Sequence, residues 1–270
     1  MTKDELIQCI RDKKSYLCVG LDTDPGKLPA HLKDDKDAVL KFNTSIIEAT
    51  KDYCCSYKIN TAFYEAMGAR GWEVMEETVK AIPATHLKIA DAKRGDIGNT
   101  SSQYARAFFE TLKFDAITVA PYMGEDSIRP FLDYRGKWTI VLGLTSNAGA
   151  NDFEMKPSGE GKLLYERVLE TVSKWGSPEN LMFVAGSTQA GALQNVRKYV
   201  PGNFLLVPGV GFQGGSLAEV SRQGMNNDIG LLVNVSRAII YAGNKENFGE
   251  EAGEIARQYQ AEMATYLISQ

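Results

Sequence analysis

The chain has no run of about 18 consecutive apolar residues, the length a membrane-spanning helix needs. It also lacks a basic run: 30 Lys and Arg stand against 34 Asp and Glu, for a net charge of −4. Nucleic-acid binding usually leaves a basic footprint, so no nucleic-acid partner is expected. The cations for any anionic ligand must then be concentrated locally. Histidine is scarce, with only His31 and His86. The four cysteines, Cys9, Cys18, Cys54 and Cys55, form no C-x-x-C, which argues against a Cys/His zinc site. Cys18 and Cys55 sit in apolar runs and read as reduced, buried thiols. No Pro/Gly/Ser-rich linker and no low-complexity segment interrupts the sequence. The first residues, MTKDELIQCIRDKKS, are charged and helical in pattern, unlike a secretory signal. A cytoplasmic protein is the expectation.

What remains is an ordinary globular composition: 270 residues, 44% apolar and 24% charged. Those values exclude collagen-like, coiled-coil and disordered chains. A chain of this size hides roughly three quarters of its unfolded surface, so a large core is available.

Eight short apolar runs recur along it. They are Tyr16–Asp22, Cys54–Asn60, Thr85–Asp91, Asp115–Ala120, Trp138–Leu144, Leu181–Ala185, Phe204–Pro208 and Ile229–Val235. Helical spacing of apolar residues marks Lys36–Thr50, Arg70–Ile82, Thr100–Leu112, Lys162–Trp175, Gln189–Val200 and Glu250–Ile268. Strands alternating with helices imply parallel βαβ units. Eight of them predict an α/β fold, a (β/α)8 TIM barrel, with residues 1–270 as a single domain. A doubly wound open sheet is the rival if one strand is false. The stretch Thr145–Gly161 reads as an irregular, mobile loop after strand five.

In such a barrel the chemistry lies at the C-terminal strand ends, and polar residues gather there. Strand one ends at Asp22, and strand two carries Lys58 and Asn60. Strand three ends Asp91-Ala92-Lys93-Arg94-Gly95-Asp96, and strand five runs into Thr145-Ser146-Asn147. Strict alternation puts Leu87, Ile89, Asp91 and Lys93 on one face of strand three. If that face is inward, an acid and a base stand near the mouth and must neutralise each other, because an isolated buried charge costs too much. A plain structural ion pair is the alternative. Several charges on adjacent strand ends favour a reaction site.

The segment Gly209–Gly214, GVGFQG, matches G-x-G-x-x-G literally. A dinucleotide site would need an early βαβ unit and an acid about 20 residues on, and Asn234 stands near that place. A phosphate cradle fits better, since barrels bind phosphate after strands seven and eight. Arg237, after strand eight, would add a bidentate cation. Arg94 reads as outward and solvated, His86 as structural, and Trp72, Trp138 and Trp175 as packing. Lys36, Lys41 and Lys51 read as a solvated helix face.

Together these residues resemble the orotidine 5′-phosphate decarboxylase family. Residues 91–100, DAKRGDIGNT, match D-x-K-x-x-D-I-x-x-T at every specified position. The order Asp22, Lys58, Ser146, Gln213, Arg237 also fits, so the resemblance spans residues 16–241. YKINTAFYEA, residues 57–66, and the long loop after strand five look like the longer bacterial subgroup.

The resemblance implies decarboxylation of orotidine 5′-phosphate to UMP, without a cofactor or metal. Lys93 would protonate C6 of the pyrimidine, Asp91 would face the substrate carboxylate, and Lys58 and Asp96 would complete an alternating charge array. It implies a homodimer with shared sites, in which Asp96, Ile97 and Thr100 cross to the neighbouring subunit. Asp22 and Lys58 would bind ribose hydroxyls, and Ser146 or adjacent Thr145 the pyrimidine edge. Gln213 and Arg237 would hold the phosphate with backbone help near Gly211 and Ser236, and Pro208 would join the substrate-binding set. The loop Gly209–Ser216 is the candidate lid. Sister barrels resembling 3-hexulose-6-phosphate synthase share D-x-K-x-x-D but use magnesium and carry Glu where this chain has Lys58.

Overall fold

A computed structural model describes residues 1–186, 191–211 and 215–268. The strands are β1 (Leu17–Gly20), β2 (Ser56–Asn60), β3 (Leu87–Arg94) and β4 (Ala116–Val119), followed by β5 (Trp138–Leu144), β6 (Leu181–Ala185), β7 (Leu205–Pro208) and β8 (Leu231–Val235). Each pairs in parallel with the next, and β1 closes on β8 through Leu17↔Val233, Cys18↔Asn234 and Val19↔Val235. The open-sheet rival is thereby set aside. Seven of the eight strands are buried along nearly their whole length, as expected when helices cover a parallel sheet.

The helices are α1 (Lys3–Lys13), α2 (Ala38–Thr50), α3 (Thr61–Glu65), α4 (Ala69–Ala81), α5 (Gly98–Arg106), α6 (Glu125–Leu132) and α7 (Leu164–Val172). They continue with α8 (Ala192–Tyr199), α9 (Leu217–Gly224), α10 (Arg237–Ile240) and α11 (Phe248–Leu267). Helix α1 opens with a capping box: Thr2 Oγ1 accepts from the Glu5 N–H, and Glu5 Oε2 accepts from the Thr2 N–H at 2.7 Å. Among the described residues, no helix is long and apolar enough to cross a membrane.

Large side chains fill the space between barrel and helices. Trp138, Tyr16, Tyr57, Phe42, Phe131 and Phe204 are fully buried, each burial stabilising by roughly 1.5–3 kcal/mol. Trp138 is thus a core residue. Trp72, expected to pack, remains 38% exposed at the surface, its ring tilted against Phe108. All four cysteines are free thiols. Burial pushes the Cys18 thiol up to about 12, which leaves it protonated and inert.

The segment after β5 is more ordered than the expected loop. It forms a 3-10 turn at Ala148–Asp152. Glu154 then reaches back, accepting from Thr145 N at 2.6 Å and from Thr145 Oγ1 at 2.9 Å.

Candidate active site

Strand register carries the charged residues to one end of the barrel. Gly20 pairs with Lys58, and Asn60 pairs with Asp91. Side chains alternate along a strand, so Ser56, Lys58 and Asn60 share a face. The cavity at the mouth is lined by Asp22, Lys58, Asn60 and Asp91 from the first three strands. Ser146, Pro208, Gly209, Asn234, Ser236 and Arg237 complete it from later ones. Larger hollows of about 590 and 650 Å³ lie elsewhere, one beside α1 and one between α2 and α11. They hold none of the residues singled out at the strand ends.

Charges at the mouth alternate in sign. Lys58 Nζ donates to Asp22 Oδ1 at 3.1 Å and to Asp91 Oδ2 at 3.0 Å. Lys93 Nζ donates to the other Asp91 oxygen, Oδ1, at 2.5 Å. The Lys58 side chain is only 5% exposed and Asp91 12%, whereas Lys93 is 49% exposed. The pair Lys58–Asp91 therefore forms the floor, and Lys93 reaches it from the solvent side. Burial alone would push the Asp91 carboxyl up, but the ammonium groups of Lys58 and Lys93 prevail and hold it well below the usual carboxylate range. Burial likewise opposes the charge on Lys58, and the Asp22 and Asp91 carboxylates reverse that, raising its value. Asp91 and Lys58 are thus both ionised at neutral pH.

Strand β3 does not run straight through this site. Ala90 pairs with Ile117 and Arg94 with Val119, so four steps on β3 face two on β4. The intervening segment is a bulge, a device that re-aims side chains beside active sites. Within it Lys93 adopts φ +47°, a left-handed conformation that costs a residue with a Cβ about 1–2 kcal/mol. The expected even alternation from Asp91 to Lys93 is therefore replaced by a kink. Ala90 and Ala92 are buried, and Lys93 turns back onto Asp91.

Thr118, Tyr64, Asn43 and Tyr241 at this end carry no sequence signal. Thr118 of β4 is buried, and its Oγ1 donates to Asp91 Oδ1 at 3.1 Å and accepts from Lys93 N at 2.9 Å. A buried polar network holds the backbone before Asp22: Tyr64 OH donates to Leu21 O at 3.0 Å, and Asn43 Nδ2 donates to Tyr64 OH at 2.9 Å. Tyr241 OH accepts from Asp24 N at 2.8 Å on the far side. Asn234 lines the cavity, and its Oδ1 is buried without a hydrogen-bond partner among the described residues. An orphaned buried acceptor is costly.

On the β8 side, Ser236 Oγ donates to Gly20 O at 3.0 Å. A Cβ at Gly20 would stand 2.7 Å from that of Ser236, so only glycine permits this approach.

Arg94 departs from the solvated role expected of it. It ion-pairs with Glu65, donates to Ala92 O at 3.0 Å and lies over the Tyr104 and Phe108 rings. It braces the bulge from outside the barrel.

The remaining candidates separate into groups. Asp96 is half-buried and its Oδ1 accepts from Ile97 N at 2.8 Å, Ile97 is 61% exposed, and Thr100 sits half-buried on α5. None of the three lines this chain's own cavity. Thr145 is bound to Glu154 and is also absent from the lining, while neighbouring Ser146 is part of it. Gly209 and Gly211 have φ of +94° and +82°, conformations that favour glycine. Gly211 N donates to Gly215 O at 3.1 Å. Gln213 lies outside the described residues.

Comparison with known proteins agrees with this arrangement. A family model described as orotidine 5′-phosphate decarboxylase / HUMPS family matches residues 15–252. The orotidine 5′-phosphate decarboxylase of Phocaeicola vulgatus is 54% identical over 266 residues, covering 97% of this chain and 98% of its own. The solved structure of Leishmania donovani OMP decarboxylase superposes with a TM-score of 0.84 at 36% identity, covering 98% of this chain and 100% of that one. The chain also matches Leishmania donovani UMP synthase, with a TM-score of 0.82 and 37% identity over 95% of this chain, and spans 56% of that longer protein. With the barrel, the strand-end charges and near-full-length similarity in accord, the chain belongs to the orotidine 5′-phosphate decarboxylase / HUMPS family.

Proposed function

We propose that this chain decarboxylates orotidine 5′-phosphate to UMP and carbon dioxide, in pyrimidine biosynthesis, with no cofactor. The observation that carries this reading is the charge ladder Asp22–Lys58–Asp91–Lys93, with two ammonium groups on opposite oxygens of Asp91.

In the reaction, the bond from C6 to the carboxyl carbon breaks and its electron pair stays on C6. No adjacent group can delocalise that charge, and other enzymes use a cofactor for such carbanions. Here the Lys93 ammonium supplies a fixed cation beside C6 and then gives C6 its proton. Asp91, held ionised by Lys58 and Lys93, faces the substrate carboxylate and repels it. Lys58 and Asp22 bind ribose hydroxyls, and Ser146 or Thr145 the pyrimidine edge. Arg237, Gln213, Ser236, Gly211 and Pro208 form the phosphate end. Binding energy from that remote phosphate can drive closure and orientation at C6.

The active unit on this reading is a homodimer of one-barrel chains acting in the cytoplasm. Asp96, Ile97 and Thr100 lie outside this chain's own cavity and are free to complete a neighbour's. The exposure of Ile97 supports that arrangement. Lys58 separates the reading from the magnesium-using branch, because an ammonium at that position repels a divalent cation.

The test is direct. Purified protein is incubated with orotidine 5′-phosphate, and loss of its absorbance, UMP formation and carbon dioxide release are followed. Stoichiometric UMP and carbon dioxide are expected. Binding without turnover would overturn the proposal in favour of a non-catalytic nucleotide-binding barrel.

A further inference from the structure

We infer that Thr118 is a positioning residue for this reaction, holding Asp91 and Lys93 in register across the β3 bulge; the inference rests on the decarboxylase reading for its catalytic consequence. Thr118 belongs to β4 and is not itself part of the cavity lining; it reaches the site through its hydrogen bond to Asp91.

The physical need for it arises from the bulge. Four residue steps of β3 oppose two of β4 between the pairs Ala90↔Ile117 and Arg94↔Val119. A bulged strand leaves backbone groups without ladder partners, and a buried N–H without a partner is costly. Lys93 N–H, part-buried within the bulge, is left without a ladder partner. Its partner is a side chain: Thr118 Oγ1 accepts from it at 2.9 Å. The hydroxyl has one proton to give, and that proton goes to Asp91 Oδ1 at 3.1 Å. Oδ1 is the oxygen that also receives Lys93 Nζ at 2.5 Å.

One hydroxyl therefore fixes two things at once. It stabilises the left-handed backbone of Lys93, at φ +47°, and it orients the carboxylate to which the Lys93 ammonium returns. Lys58 holds the other oxygen of that carboxylate, so Asp91 is constrained from both sides. Without the hydroxyl, the Lys93 N–H loses its acceptor and, among the described residues, only Lys93 itself holds Oδ1. The left-handed turn then loses its restraint and the ammonium samples positions away from C6. Misplacement by about 1 Å at a reacting centre can cost on the order of 100-fold in rate.

The experiment compares Thr118→Val, which keeps the shape and removes the hydroxyl, with Thr118→Ser, which keeps the hydroxyl. For Thr118→Val, kcat is expected to fall about 10- to 100-fold, with KM within about threefold of wild type, because the substrate-binding groups are untouched. Thr118→Ser is expected to recover kcat to within about threefold of wild type on the same reasoning. If Thr118→Val fails to fold, Thr118→Ala carries the same comparison. A wild-type kcat in the valine or alanine variant, or a serine variant as slow as either, overturns the inference.

A second readout needs no substrate. Amide hydrogen exchange at Lys93 is expected to be at least about tenfold faster in the valine variant than in wild type or Thr118→Ser. Equal exchange overturns the inference. If the wild-type protein does not turn over orotidine 5′-phosphate, the decarboxylase reading fails, while the exchange comparison still decides whether Thr118 holds Lys93.

Discussion

Lys93 and Asp91 lie two residues apart on one strand, and the Lys93 ammonium folds back to donate to Oδ1 of Asp91 at 2.5 Å. A regular strand would carry both side chains straight out of the same face. The bulge and the left-handed Lys93 backbone make the return contact. The paired groups differ in setting: Asp91 is buried on the floor, and Lys93 is half in solvent. Lys93 is therefore open to a substrate from the solvent side while Asp91 is held from the barrel side by Lys58.

The ionisation of Asp91 sets a pH dependence. Its folded-state value lies below that of an unfolded aspartate, about 3.9. Its pairing contributes stability that is fully present above about pH 4 and is lost as pH falls through the folded value. Lys58 has the opposite sense, its contribution being present below about pH 10 and lost as pH rises beyond. The difference in urea-unfolding free energy between wild type and Asp91→Asn is expected to be flat from about pH 5 to pH 9. It should move against the wild type below about pH 4. A difference that changes around neutral pH contradicts this assignment.

Metal dependence separates the two branches of the family. Turnover is expected to survive exhaustive treatment with EDTA, measured under otherwise identical conditions. Loss of activity that Mg²⁺ restores would place the chain with the magnesium-using barrels and remove Lys93 from its proposed part.

Site sharing can be checked with two inactive variants. Asp91→Ala and Asp96→Ala are each expected to be inactive alone. Mixed under conditions of subunit exchange, they should regain part of the wild-type rate, because a hybrid dimer assembles one site with neither substitution. No recovery, with exchange proven by mass spectrometry, argues that Asp96 serves its own chain.

The barrel was legible in the sequence because its strands are apolar runs of ordinary length. Trp138–Leu144 and Leu181–Ala185 have the predicted bounds, and the helix expected at Glu250–Ile268 forms as Phe248–Leu267. Helices α6 and α9 were not seen. The first contains Pro130 and the second follows a glycine-rich stretch of sequence, and both are only eight residues long, so each carries little periodic signal. Asp91, Lys93 and Lys58 stood out because charge is anomalous in an apolar strand.

Thr118 gave no such sign, since threonine is a common strand residue. Its use depends on a bulge that no local pattern announces. Arg94 was misread for a related reason: its partners Glu65, Tyr104 and Phe108 come together only in the fold. The polar network of Asn43 and Tyr64 beneath Asp22 is likewise assembled from segments distant in sequence.

The central claim is that the Lys93 ammonium supplies the proton to C6, and Lys93→Ala tests it most directly. Turnover of orotidine 5′-phosphate and binding of UMP are measured on the same folded preparation. Turnover is expected to fall below detection while UMP binding remains measurable, because Lys58, Asp22 and Arg237 are intact. A Lys93→Ala protein that decarboxylates at near the wild-type rate would contradict the account.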